Sequence, residues 1–170
     1  MSEIDYAIDF GTSTTLLAIP QASGARVIQI EPESPFSWLP SVIAKNEKSE
    51  WIVGSNALYS PVASRILSPK SAITRGSQTL KNSQGDEISA DLAITLVLGK
   101  VIQTLKDNNL DPNGRVRMSC PAMWDGNQRI RLVEIAQKLG INTNIDDLMD
   151  EPIAARSEEH TSELQSRLHL

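Results

Sequence analysis

The chain of 170 residues carries 16 Lys and Arg against 21 Asp and Glu, a net charge of -5, and 40% of its residues are hydrophobic. This length and composition predict one globular domain, or one lobe of a larger domain, with its own core. No basic run is long enough to follow a phosphate backbone and no apolar run is long enough to span a bilayer, so we expect neither nucleic acid nor membrane as a partner.

Cysteine and histidine are scarce, which limits both compartment and chemistry. The single Cys120 cannot form an intrachain disulfide and no signal peptide opens the chain, so the expected location is cytoplasmic. Both histidines follow Arg156, which excludes a Ser/His/Asp triad, a Cys/His pair and a His-rich zinc site from residues 1–155. The groups available for catalysis or binding in residues 1–155 are therefore carboxylates, lysines, hydroxyls and backbone amides.

The first half of the chain predicts short β-strands. IDYAIDF alternates in polarity, breaks at Gly11 and resumes as TTLLAIP, a pattern typical of a hairpin with DFGTSTT at its tip. ARVIQI, LPSVIA and WIVG predict three more strands, each bounded by turn-forming residues.

Beyond Gly85 the apolar spacing becomes helical. EISADLAITLVLGKVIQTLK predicts one amphipathic helix with Asp86 near its start and Leu92 on its apolar side. RVRMSC predicts a strand. INTNIDDLMDEP predicts a final extended segment that ends at Pro152.

A second helix is predicted between RVRMSC and that last segment. Asp125, three residues before Gln128, predicts a capping box, and Gly140 predicts the end of the helix. Ile130 and Val133 are expected on its buried face. The order of elements predicts an α/β fold with a mixed β-sheet flanked by helices.

The hairpin tip DFGTSTT carries groups suited to an anion. A carboxylate at a strand end is followed by a glycine and four hydroxyl residues in a tight turn, which can present amide and hydroxyl donors. Asp9 is placed to hold a hydrated Mg²⁺, which needs only one or two carboxylates beside substrate phosphates. An ordinary hairpin with a polar tip explains the same string, so both interpretations stay open on spacing alone.

Six motifs in order give the chain a resemblance to a known family: IDFGTSTT, LPSVIA, WIVGSNA, LSPKSAIT, SCPAMWDGNQR with AQKLGI, and DEPIAA. Over residues 3–155 they resemble the seventy-kilodalton heat-shock proteins, the DnaK-like branch of the actin-type ATPases. The resemblance implies the N-terminal lobe of an actin-like ATPase domain, with a ribonuclease H-like fold. It also implies ATP and ADP as ligands, with Mg²⁺ and a potassium ion as cofactors.

The resemblance assigns the first motif to metal and phosphate. Asp9 would coordinate the water shell of Mg²⁺ and the potassium ion. Gly11 and Thr14 would complete the phosphate-binding turn, and Thr12 and Ser13 would bind the β- and γ-phosphates through amides and hydroxyls. Thr14 departs from the family pattern, which commonly has an aromatic residue there.

Four further positions match the family's functional residues. Lys70 would be the catalytic lysine near the γ-phosphate, and Glu151 would face the metal and order the attacking water. Pro121 and Arg129 would transmit the nucleotide state to an interdomain linker. Each position also has a simpler interpretation: a solvated surface lysine, a carboxylate pair of Asp150 and Glu151 at a helix start, a strand-ending proline and a solvent-facing arginine.

The function implied is that of a chaperone whose full-length form couples ATP hydrolysis to the binding of unfolded peptides, with co-chaperones as partners. Met123 and Trp124 replace the usual Tyr-Phe, so the chain is more similar to divergent DnaK-like proteins. Two alternatives share the superfamily: an actin-like cytoskeletal or cell-division protein, and a sugar or acetate-type kinase. The spacing of Pro121 and Arg129 favours the chaperone.

Residues 156–170 do not continue the family pattern. RSEEHTSELQS resembles the translation of a sequencing-library adapter, and a natural polar helix with Leu164 and Leu168 on one side is the alternative. We therefore expect residues 1–155 to be an incomplete ATPase domain followed by a non-native tail. In the family ATP lies between two lobes, so weak or absent ATP binding and no hydrolysis are expected.

Overall fold

The computed structural model describes residues 4–151. Residues 1–3 and 152–170, which include most of DEPIAA and the predicted tail, lie outside the described residues. The strands are β1 Tyr6–Phe10, β2 Thr14–Gln21, β3 Gly24–Ile28, β4 Leu39–Pro40, β5 Val42–Lys45, β6 Trp51–Val53, β7 Arg65–Leu67, β8 Thr79–Lys81, β9 Glu87–Ser89, β10 Val116–Cys120 and β11 Leu148–Asp150. The helices are α1 Ser55–Leu58, α2 Ser71–Arg75, α3 Ala90–Asp107 and α4 Gly126–Lys138.

The main sheet is mixed and confirms the predicted α/β class. Its strands run in the order β11-β10-β1-β2-β3, and β4 pairs with β2. β1 and β2 form the predicted antiparallel hairpin, whereas β10 lies parallel to both β1 and β11. The parallel strands β1, β10 and β11 therefore bring Asp9, Ser119 and Glu151 toward one edge of the sheet, since parallel strands end on the same side.

The two faces of the main sheet have different surroundings. Side chains alternate between faces along a strand, and one set is buried in a single cluster with residues of α3 and α4: Tyr6, Ile8, Phe10, Val116, Met118 and Cys120. We call this the covered face. The opposite set is half-buried or exposed and includes Ala7, Asp9, Arg117, Ser119 and Met149. We call this the open face.

The long helix α3 begins later than the sequence predicted. Glu87–Ser89 pairs with β8 as a strand, and the Ser89 hydroxyl caps the helix by accepting a hydrogen bond from the Leu92 amide at 3.1 Å. Asp86 is therefore not at the helix start. Its carboxylate accepts from Lys45 Nζ at 2.8 Å, a hydrogen bond that lowers its pKa. Leu92 was also placed wrongly, because it is largely exposed.

Helix α4 begins as predicted. The Asp125 side chain accepts from the Gln128 amide and the Gln128 side chain accepts from the Asp125 amide, which completes the capping box. Gly140 follows the helix with φ 82°, a left-handed conformation that favours glycine. The assignment of Ile130 to the buried face was wrong, because the buried stripe consists of Leu132, Val133, Ile135 and Ala136.

Between β3 and α3 the structure departs most from the predicted elements. LPSVIA divides into β4, which joins the main sheet, and β5, which forms a separate sheet in the order β6-β5-β7. The sequence did not indicate α1, α2, β7 or β8, all of which are short. The predicted last segment contains a 3-10 turn at Ile145–Asp147 before β11.

Among residues 4–151, no helix has the length and apolar character needed to cross a membrane.

Candidate functional site

The tip of the β1–β2 hairpin is tightly closed and presents donors outward. The Gly11 amide donates to the Thr14 carbonyl at 2.9 Å, and the Ser41 amide donates to the Ser13 carbonyl at 2.8 Å. A Cβ on Gly11 would lie 2.4 Å from the Thr14 carbonyl oxygen, so this turn requires glycine. Thr12 and Ser13 are exposed, and within residues 4–151 their amides donate to no protein acceptor. These amides are free to bind an anion.

Asp9 lies on the open face beside this turn. Its carboxylate accepts a hydrogen bond from the Ser119 hydroxyl at 2.5 Å. The two residues line a cleft of about 270 Å³ that also includes Arg117, Asp150 and Glu151. The structure therefore brings Asp9 and Glu151, the two predicted metal ligands, to the same cleft.

Lys70 is buried, and the alternative of a solvated surface lysine is wrong. Only 1% of its side chain is exposed, and its ammonium forms an ion pair with the Glu151 carboxylate. Removing a lysine charge from water is costly unless the charge is paired. Residues 81 positions apart in sequence thus meet, as the assignment of Lys70 and Glu151 to one site requires.

Two aromatic rings flank the Lys70 ammonium. Its Nζ lies 5.6 Å from the centroid of Phe10 and 5.4 Å from the centroid of Trp124, distances at which a cation is attracted to a ring face. The sequence prediction missed both rings. Phe10 directly follows Asp9 in β1, and Trp124 is the aromatic residue immediately before the cap residue Asp125 of α4.

Pro121 and Arg129 are each hydrogen-bonded to the backbone of Trp124. The Trp124 amide donates to the Pro121 carbonyl at 3.0 Å, and Arg129 Nε donates to the Trp124 carbonyl at 3.1 Å. Arg129 also pairs with Asp150 at 2.5 Å, and this hydrogen bond raises the pKa of the arginine. Arg129 is therefore not a free solvent-facing residue.

The sequence prediction also missed Ser119, although RVRMSC carries a signal for it. Period-two alternation puts Arg117 and Ser119 on the face opposite Val116, Met118 and Cys120. Only the parallel pairing with β1 shows that this face is the one that carries Asp9.

The donor groups fit Mg²⁺ bound through waters and phosphates. Residues 4–151 contain no group of three or more His, Cys, Asp or Glu side chains that would enclose a metal ion. Mg²⁺ does not need such a cage, because it retains waters and uses one or two carboxylates together with substrate phosphates. Asp9 and Glu151, which line one cleft, provide that number of carboxylates.

No protein-family model matches the sequence, and no curated protein is detectably similar to it. The assignment of a function therefore depends on the geometry of the site together with the motifs.

Proposed function

We propose that residues 4–151 belong to the N-terminal lobe of an actin-like ATPase domain, and that the parent protein is a DnaK-like chaperone that hydrolyses ATP. The observation that carries this proposal is the ion pair between the buried Lys70 and Glu151, whose side chain is 40% exposed. It stands beside Phe10, which directly precedes the anion-binding turn of the hairpin. A buried cation, two cleft-lining carboxylates and free turn amides are the groups that phosphoryl transfer requires.

Each group has a separate task in this proposal. The Thr12 and Ser13 amides bind phosphate oxygens, which orients the nucleotide. Asp9 and Glu151 would hold Mg²⁺, which when bound would neutralise phosphate charge. Glu151 would also accept a hydrogen bond from the attacking water, and the Lys70 ammonium would stabilise the negative charge that develops on the transferred group.

The low exposure of Lys70 strengthens its electrostatic effect. Charges interact more strongly where water is excluded, and the Phe10 and Trp124 rings exclude water from two sides of the ammonium. The contacts of Pro121, Trp124 and Arg129 connect this ion pair to the start of α4. That connection agrees with the coupling roles that the resemblance implies for Pro121 and Arg129, and it supports the chaperone over the cytoskeletal and kinase alternatives on that ground.

An NMR titration of the chain with Mg·ATP tests the proposal. We expect millimolar affinity and no hydrolysis, because in this proposal the adenine is held by a second lobe. The amide signals of Gly11 to Thr14 and Glu151 should shift with Mg·ATP and much less with Mg·AMP, which lacks the β- and γ-phosphates.

Lys70→Met is the informative variant, since it keeps most of the aliphatic stem and removes the charge. It should abolish the ATP-dependent shifts, whereas Lys81→Met, at a lysine that is 62% exposed, should leave them unchanged. Shifts confined to other parts of the chain, or equal shifts with Lys70→Met, would contradict the proposal. Magnesium-dependent ATP hydrolysis that Lys70→Met abolishes would contradict the expected inactivity of the chain but not the proposed function.

A further inference from the structure

We infer that Trp124 is a positioning residue that acts through Lys70: its ring, together with that of Phe10, holds the lysine ammonium against Glu151. Trp124 is itself fixed, with 4% of its surface exposed. Its indole N–H donates to the Thr74 hydroxyl at 2.9 Å. The ring therefore contacts the ammonium of Lys70, the residue that precedes α2, and the hydroxyl of Thr74 within α2.

The α2–α4 contact keeps this arrangement in place. Gln128, the capping-box residue of α4, donates its side-chain amide to the Thr74 carbonyl at 3.1 Å. Trp124 lies immediately before the cap residue Asp125, so the capped start of α4 fixes the backbone from which the ring extends. The orientation of the indole is thus set by two hydrogen-bonded helix ends rather than by packing alone.

The rings leave N–H donors of the ammonium without a hydrogen-bond acceptor among residues 4–151. A lysine ammonium has three N–H donors, and within residues 4–151 Glu151 is the acceptor that Lys70 reaches. Ring faces stabilise the charge without accepting conventional hydrogen bonds. In the proposed function, on which this role rests, the remaining donors bind an entering phosphate oxygen. The contact between the rings and the ammonium is independent of that function.

Chemical labelling of lysines tests that contact without nucleotide. The intact chain is treated briefly with acetic anhydride, and the modification of each lysine is measured by mass spectrometry. Trp124→Leu should raise the rate of Lys70 labelling roughly fivefold, because the ring attraction that keeps the ammonium buried is lost. Trp124→Phe, which retains a ring, should stay close to wild type.

The chain contains a matched control. Lys45 pairs with Asp86 and lies 5.9 Å from the ring centroid of Trp51, but 29% of its side chain is exposed. Trp51→Leu should change Lys45 labelling little, since the reagent already reaches that lysine. If Trp124→Leu does not fold, as judged by thermal melting, Phe10→Leu replaces it and should raise Lys70 labelling in the same way.

Equal labelling of Lys70 in the Phe and Leu variants at position 124 would overturn the inference, because volume alone would then explain the burial. A titration with Mg·ATP separates the two proposals. If Trp124→Leu frees Lys70 but the wild-type chain shows no ATP-dependent shifts, the proposed function fails and the positioning role stands. If wild type shows those shifts and Lys70 labelling does not respond, the positioning role fails.

Discussion

On the covered face of the main sheet Phe10 and Met118 are 0% exposed, whereas on the open face Val27 and Met149 expose 46% and 51% of their surface. The same strands supply both faces, since neighbouring residues point in opposite directions. The covered face packs against α3 and α4 and stabilises the fold. The open face carries Asp9, Ser119 and the cleft, so adjacent residues of β1 face the core and the cleft.

Phe10→Ala and Asp9→Asn test this division at adjacent positions. Phe10→Ala should lower the free energy of unfolding by about 3–5 kcal/mol, because it leaves a cavity in the core. Asp9→Asn should change it by less than about 0.5 kcal/mol, because the residue is exposed and the amide oxygen can still accept from Ser119. Urea unfolding measures both, and similar losses would contradict the separation of the faces.

Gly11→Ala tests the turn that joins β1 and β2. The added Cβ meets the Thr14 carbonyl oxygen, which is backbone and cannot move aside alone, so a loss of about 1–3 kcal/mol is expected. Gly126→Ala is the control, because nothing lies within 4 Å of its Cβ position at the start of α4. That change should be neutral or slightly stabilising. A Gly11→Ala chain as stable as Gly126→Ala would mean that the hairpin turn is less tightly closed.

The reactivity of a thiol on each face compares the covered and open faces with the smallest expected effect on stability. Burial raises the pKa of Cys120, which lies on the covered face, so a disulfide reagent should modify it slowly at mildly alkaline pH. Met149→Cys, in a Cys120→Ala background, places a thiol on the open face and should react at a rate close to that of a free thiol.

Cys120 should also give stability a pH dependence. Because the folded pKa is the higher one, the contribution is complete below the ordinary thiol value of 9.0 and is lost as pH rises from there through the raised value. Cys120→Ala should remove this alkaline decline. A decline that persists in the variant must come from other groups.

Local patterns predicted the elements that depend on local interactions. The β1–β2 hairpin follows from alternation and Gly11, and α4 follows from Asp125 and Gln128, because turn closure and capping join residues close in sequence. The helices α1 and α2 were missed because four or five residues are too few to show a period. Glu87–Ser89 was predicted as helix from its local apolar spacing. It is a strand because its pairing with β8 outweighs that local propensity.

By itself the sequence determined the α/β class, the hairpin turn, the capped helix and the residue types available for chemistry. Only the tertiary structure decided that Lys70 is buried, that Glu151 pairs with it and that Phe10 and Trp124 flank its charge. The physical reason is the distance along the chain between the residues that interact. Turns and caps are set by neighbours along the chain, whereas burial and ion pairing depend on strands and helices that meet only after the chain has folded.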